Sequence, residues 1–164
     1  MATVNKLVTC LWFDGKAEQA ARYYVSVFKN ARMGKVSYYP SEGIEQHGQP
    51  AGRVMVAEFE IEGQQFIGLN GGSQFKFSEA ISFQVMCDDQ AEVDYFWSTL
   101  TQDGGEEGPC GWLKDKFGLS WQIVPKRLMA MMGDSDTKKT GRVMKAFMQM
   151  KRFDLAALER AYAE

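Results

Sequence analysis

The chain has 164 residues, 45% of them hydrophobic and 24% charged, the balance of a compact globular protein and not of a disordered segment. A formal net charge of -2 supplies no basic face for nucleic acid, and no run of 18 apolar residues offers a membrane span. Three scattered cysteines, Cys10, Cys87 and Cys110, form no CxxC pair and no zinc pattern; they read as free thiols, and with no signal-like apolar start the expectation is a cytoplasmic protein.

Residues Val4 to Phe13 are rich in β-branched and aromatic side chains and predict a first strand, broken at Asp14-Gly15. Ala17, Ala20, Ala21, Tyr24, Val27 and Phe28 follow at helical spacing. Met33 to Tyr39 predicts a second strand, and the polar stretch Pro40 to Gly52, which carries the only histidine, His47, predicts a loop. Arg53 to Ile61 and Gln65 to Asn70 read as two strands joined by a tight turn at Glu62-Gly63.

The same order returns downstream. Ala80 to Cys87 predicts a strand, Asp89 with Glu92 resembles a capping box, and Val93, Phe96, Trp97 and Leu100 mark a helical face. A short strand fits near Glu106-Glu107, and Cys110 to Asp115 with Leu119 to Val124 make a hairpin around Lys116-Phe117-Gly118. Gly118 is expected to supply a positive φ there, and Lys114 with Asp115 an exposed ion pair beside the turn. Past Pro125, Met129, Met131, Met132, Val143, Ala146, Phe147, Met150, Leu155, Leu158 and Tyr162 predict two or three helices packed through a Met-rich face, against the body or a partner subunit. The expected organisation is one α+β domain over 1–125, built of two βαβββ modules at about 4–75 and 80–125, with a helical extension over 126–164.

Two stretches carry a family likeness: Leu11-Trp12-Phe13-Asp14-Gly15 running into Tyr23-Tyr24, and Trp112-Leu113-Lys114-Asp115-Lys116-Phe117-Gly118-Leu119-Ser120-Trp121-Gln122. With Leu69-Asn70-Gly71-Gly72 and Ile81-Ser82-Phe83-Gln84, they resemble the PhnB-like branch of the vicinal-oxygen-chelate (glyoxalase/bleomycin-resistance/dioxygenase) superfamily, whose sequences often carry the name 3-demethylubiquinone-9 3-methyltransferase. The resemblance implies sheets curled into half-barrels around a pocket, and a homodimer. In the superfamily's enzymes it also implies a divalent metal held by His or Glu from the first, fourth, fifth and eighth strands. Here those positions fall on Thr9, on Gly68 or Asn70, on Ser82 and on Gln122, none of them a good transition-metal ligand. The expectation is therefore a pocket with no metal and no cofactor.

Alternation along the same register turns Thr9, Leu11 and Phe13, then Ser82, Gln84 and Met86, then Cys110, Trp112 and Lys114, and finally Ser120, Gln122 and Val124 toward the pocket. The expected ligand-binding set is Thr9, Phe13, Asn70, Ser82, Gln84, Trp112 and Gln122, an apolar wall with a few orienting polar groups suited to an unidentified small molecule. For Asn70 and Trp112 the plainer reading is structural, a turn residue and a packing residue. An alternative reading is an enzyme acting on a small carbonyl or quinone-type substrate through Cys110, Lys114 or Gln122, with Lys114 lowering the Cys110 pKa; a third is a structural dimer with a vestigial pocket. Methyl transfer on the usual doubly wound sheet needs a Gly-rich turn opening a helix, and Gly71-Gly72 opens none.

Overall fold

The computed structural model describes residues 5–164, so the Val4 end of the expected first strand lies outside the described residues. The chain divides into two compact units, Met1–Lys76 and Phe77–Glu164. The first unit runs β1 (Thr9–Phe13), α1 (Ala17–Val27), β2 (Ala31–Tyr38), α2 (Ile44–His47), β3 (Val54–Ile61) and β4 (Gln64–Asn70). The second runs β5 (Phe83–Cys87), α3 (Gln90–Thr101), β6 (Glu106–Glu107), β7 (Trp112–Lys114) and β8 (Ser120–Pro125), then α4 (Lys126–Met132), α5 (Thr137–Phe147) and α6 (Leu155–Ala163). Each unit holds one four-stranded sheet, ordered β1-β4-β3-β2 and β5-β8-β7-β6. In both, the first and last strands pair in parallel while the others pair antiparallel, so the fold is α+β with two βαβββ modules and a helical tail.

In the first unit, α1 lies flat on the sheet because its inner face is made of small side chains. Ala17, Ala20 and Ala21 are fully buried, and a Cβ added to Gly68 on β4 would sit 3.2 Å from that of Ala17. Tyr24 and Val27 complete the contact, Tyr24 lying over Phe59, which stacks on Phe66. The β3–β4 turn is the two-residue kind that the strand twist favours, with Glu62 at φ 49 and Gly63 at φ 77. The polar stretch before β3 is not all loop: Ile44–His47 forms one helical turn between two left-handed glycines, Gly43 and Gly48.

In the second unit, α3 starts where the sequence places its cap. Asp89 accepts from the Glu92 amide at 2.9 Å, and Glu92 reaches back to the Asp88 amide at 2.7 Å. Val93, Trp97 and Leu100 are the buried helix face, whereas Phe96 is only partly covered. The tail folds onto this same unit. Leu128, Met131, Val143, Phe153 and Leu158 form a cluster of their own, with Met132, Ala146, Phe147 and Met150 against it.

Three expected strands are shorter than their apolar runs. β1 begins at Thr9, β5 at Phe83, where pairing with Trp121 becomes available, and β7 at Trp112. The last has a clear cause: Cys110 and Gly111 take φ 54 and 80, and their amides donate to Met150 and Lys151 of the tail instead of to a neighbouring strand.

The β7–β8 turn is held from inside. Gly118 takes the left-handed φ of 85 that the sequence calls for. Asp115, expected to be exposed, is 2% exposed, and its carboxylate accepts from the Phe117 amide (2.8 Å), the Leu119 amide (3.1 Å) and Trp121 Nε1 (2.8 Å). Removing that carboxylate strands three donors. Asp115→Ala is expected to destabilise the fold by about 3 kcal/mol in urea denaturation; a loss under about 1 kcal/mol would show that the turn stands without it.

Candidate functional site

The second sheet turns one face to α3, with Glu107 on the edge strand reaching both sides. Val85, Cys87, Leu113, Trp121 and Ile123 are buried on the α3 side, where Trp97 Nε1 also donates to Glu107 at 2.8 Å. The opposite face carries one row in which Gln84, Gln122 and Trp112 are direct ladder partners across β5, β8 and β7. Gln84 Nε2 donates to Gln122 Oε1 at 3.2 Å, and Gln122 Nε2 donates to Ser82 Oγ at 2.8 Å. This directed chain leaves an amide acceptor at the Gln84 end and a hydroxyl donor at the Ser82 end. Ser82 itself lies just before β5, not within it. The adjacent row joins Glu106, Lys114 and Ser120. Beside these rows is a hollow of ≈ 390 Å³, lined by Trp112, Lys114, Ser120, Pro109 and the carboxylates Glu79, Glu106 and Glu107.

In the first unit the register is displaced by one. Leu11 pairs with Gly68 and Phe13 with Asn70, both on the face that α1 covers, and Leu11 and Phe13 are each 5% exposed. Thr9, paired with Phe66, shares that face, and its Oγ1 accepts from Gln64 Nε2 at 3.2 Å. The open face instead carries Cys10 and Trp12 from β1, Ile67 and Leu69 from β4, and Val56 and Glu58 from β3. Thr9 and Phe13 thus lie on the helix side of their sheet, because α1 needs the Leu11–Phe13 row for its own burial. Asn70 is 2% exposed and engaged at both ends of its amide: Oδ1 accepts from the Ala17 amide at 2.9 Å, satisfying an orphan donor of α1, and Nδ2 donates to Val54 O at 3.0 Å. Trp12, which the sequence reading did not single out, spans this open face; its indole lies over Gly71, donates to Gly72 O at 2.8 Å and meets Phe75 edge-on at 4.9 Å. Alternation plus the alanine-rich face of α1 was the available signal.

The catalytic candidates do not converge. Cys110 sits in the left-handed bend, its Sγ directed at Phe147 O at 3.8 Å and its side chain against the tail cluster, away from the Trp112 and Lys114 row. Lys114 Nζ is 2.6 Å from Glu79, a hydrogen bond that raises the lysine pKa and lowers that of the carboxyl, so the amine stays protonated. An amine nucleophile needs the opposite shift. Of the three candidates only Gln122 lies in the amide chain, and it cannot take up a proton at neutral pH.

Comparison with known proteins agrees with this architecture. The family model for 3-demethylubiquinone-9 3-methyltransferase matches residues 5–124. The chain belongs to that family. Its sequences are PhnB-like. The PhnB protein from Bacillus cereus is 32% identical, with a TM-score of 0.63 over 74% of this chain and 99% of that one. A Pseudomonas aeruginosa protein of 16% identity shares the fold at a TM-score of 0.53 over 74% of this chain and 98% of its own. No curated protein matches the chain.

The metal site of the superfamily's enzymes can be tested against the family member's own residues. On its open face the first sheet offers Cys10 and Trp12 from β1 and Ile67 and Leu69 from β4, and the second sheet, taken by itself, offers Gln84 and Met86 from β5 and Ser120, Gln122 and Val124 from β8. Among the described residues no three His, Cys, Asp or Glu side chains are grouped to hold an ion. This donor set does not fit a catalytic transition metal. The thiols are equally unsuited. Burial raises the Cys10 pKa, and desolvation, reinforced by Glu92, pushes Cys87 up to about 12. At about pH 8 the Cys87 thiolate is then on the order of one part in 10⁴. Iodoacetamide treatment of the folded protein followed by peptide mapping is expected to leave Cys87 unmodified and to label it only after denaturation; labelling of Cys87 in the folded state would contradict its burial.

Proposed function

We propose that this protein captures a small organic molecule on the open face of its second sheet, without a metal in the site. The observation that carries the reading is the Gln84–Gln122–Ser82 chain set in one row with Trp112, beside a hollow of ≈ 390 Å³. Such a surface offers an aromatic platform, one acceptor and one donor, which orient a ligand without altering its bonds. A homodimer working in the cytoplasm belongs to the same proposal.

The geometry favours binding over catalysis. An enzyme acting on a carbonyl or quinone-type substrate requires a nucleophile or a proton-transfer group at the ligand, and the thiol of Cys110 is turned into the tail while Lys114 is held as an ammonium. The methyl transfer in the family's name has no usual cofactor fold behind it: the chain is two βαβββ modules, and no helix opens at Gly71-Gly72.

The test is extraction. Protein purified and dialysed without chelator is expected to release an organic molecule on denaturation, detected by mass spectrometry, while elemental analysis finds far less than one equivalent of Ni, Zn, Mn or Fe. Gln122→Leu should retain the melting temperature within about 2 °C and lose the extracted molecule. A full equivalent of metal, with the molecule lost upon its removal, would overturn the reading.

A further inference from the structure

The hollow beside the amide row has a charge balance that selects among ligands, and this inference rests on the binding role just proposed for that face. Three carboxylates and one ammonium line it. Two of the carboxylates are engaged: Glu79 by Lys114 at 2.6 Å, and Glu107 by Trp97 Nε1 at 2.8 Å and Lys151 at 3.9 Å. Glu106, the ladder partner of Lys114, has no side-chain hydrogen bond or ion pair among the described residues. Its charge reaches Lys114 only at longer range, so one carboxylate at the rim of an apolar concavity is left without a contact partner among the described residues.

A second observation is independent of the acids. Ser120 is 1% exposed, lines the hollow and lies in the same row as Lys114 and Glu106, yet its Oγ has no hydrogen-bond partner among the described residues. A buried hydroxyl without a partner destabilises a fold, and where one persists beside a cavity the missing partner can come from the ligand.

We propose that the hollow takes an amine-bearing aromatic or apolar molecule, its ammonium held by Glu106 and Ser120 Oγ and its body laid on Trp112 and Pro109. An anion in this position would face Glu106 and would have to displace Glu79 from Lys114. An ammonium avoids both, its one cost being Lys114, which stands between Glu106 and Ser120 in the row and is neutralised by Glu79 at 2.6 Å; the Trp112 ring adds a cation–π attraction. The carboxylates are exposed, so the preference is moderate and weakens with salt.

The experiment compares three indoles of similar shape and different charge, tryptamine, 3-ethylindole and indole-3-propionate, by calorimetric titration of the intact protein at low ionic strength. Tryptamine is expected to bind about tenfold tighter than indole-3-propionate. Glu106→Gln should reduce that ratio below about twofold and leave 3-ethylindole binding unchanged. Ser120→Ala should weaken tryptamine by about threefold or more while raising the melting temperature, since it removes an unsatisfied buried hydroxyl. A merely structural serine would lower it. The amine assignment is overturned if indole-3-propionate binds as well as tryptamine, if Glu106→Gln leaves the ratio intact, or if Ser120→Ala melts lower. It is also overturned if none of the three binds. Metal-free capture is judged separately by the extracted molecule, so either can fail without the other.

Discussion

Each four-stranded sheet in this chain carries one helix across it, and the face that the helix buries decides what the other face can offer. A pleated strand sends alternate side chains to opposite sides, so the same row cannot serve both core and ligand. In the second unit, α3 takes the Val85–Ile123 and Trp121–Leu113 pairs, which leaves Gln84, Gln122 and Trp112 on the other face. In the first, α1 takes Leu11, Phe13, Ala57 and Phe59, which leaves Cys10, Trp12, Ile67 and Leu69.

The element order was legible because its signals are local. The Asp89–Glu92 cap, the Glu62-Gly63 turn and the Gly118 turn each depend on a few adjacent residues with a specific conformational preference. The shared face of Gln84, Trp112 and Gln122 was legible too, since the distinctive hairpin fixes the register between Asp115 and Ser120; Ser82, read as part of the strand, lies just before it. The first strand had no such anchor. Thr9, Leu11 and Phe13 alternate with Cys10 and Trp12, and both sets are apolar enough to be a core. What separates them is Gly68, whose missing side chain lets Ala17 approach, a fact about a residue some 60 positions away in the chain.

Buried polar groups were the other blind spot. Asn70 and Asp115 look like turn residues in sequence, and both sit near turns, but their function is to satisfy amides that the fold has taken out of water. Cys110 was displaced for a related reason: the tail pairs with the amides of Cys110 and Gly111 and bends the chain before β7 begins. A helical extension without apparent family chemistry thereby changes which side chains reach the open face. Stability and site are in this way coupled through backbone hydrogen bonds and not through the side chains that would bind a ligand.

The most direct measurement is the position of bound-molecule density in a crystal of protein purified without chelator that retains what it co-purified with. The account places that density against Trp112 and the Gln84–Gln122 amides, with no ion in contact with it. Density lying instead on the Thr9 and Phe13 side of the first sheet, or coordinated to a metal, would contradict it.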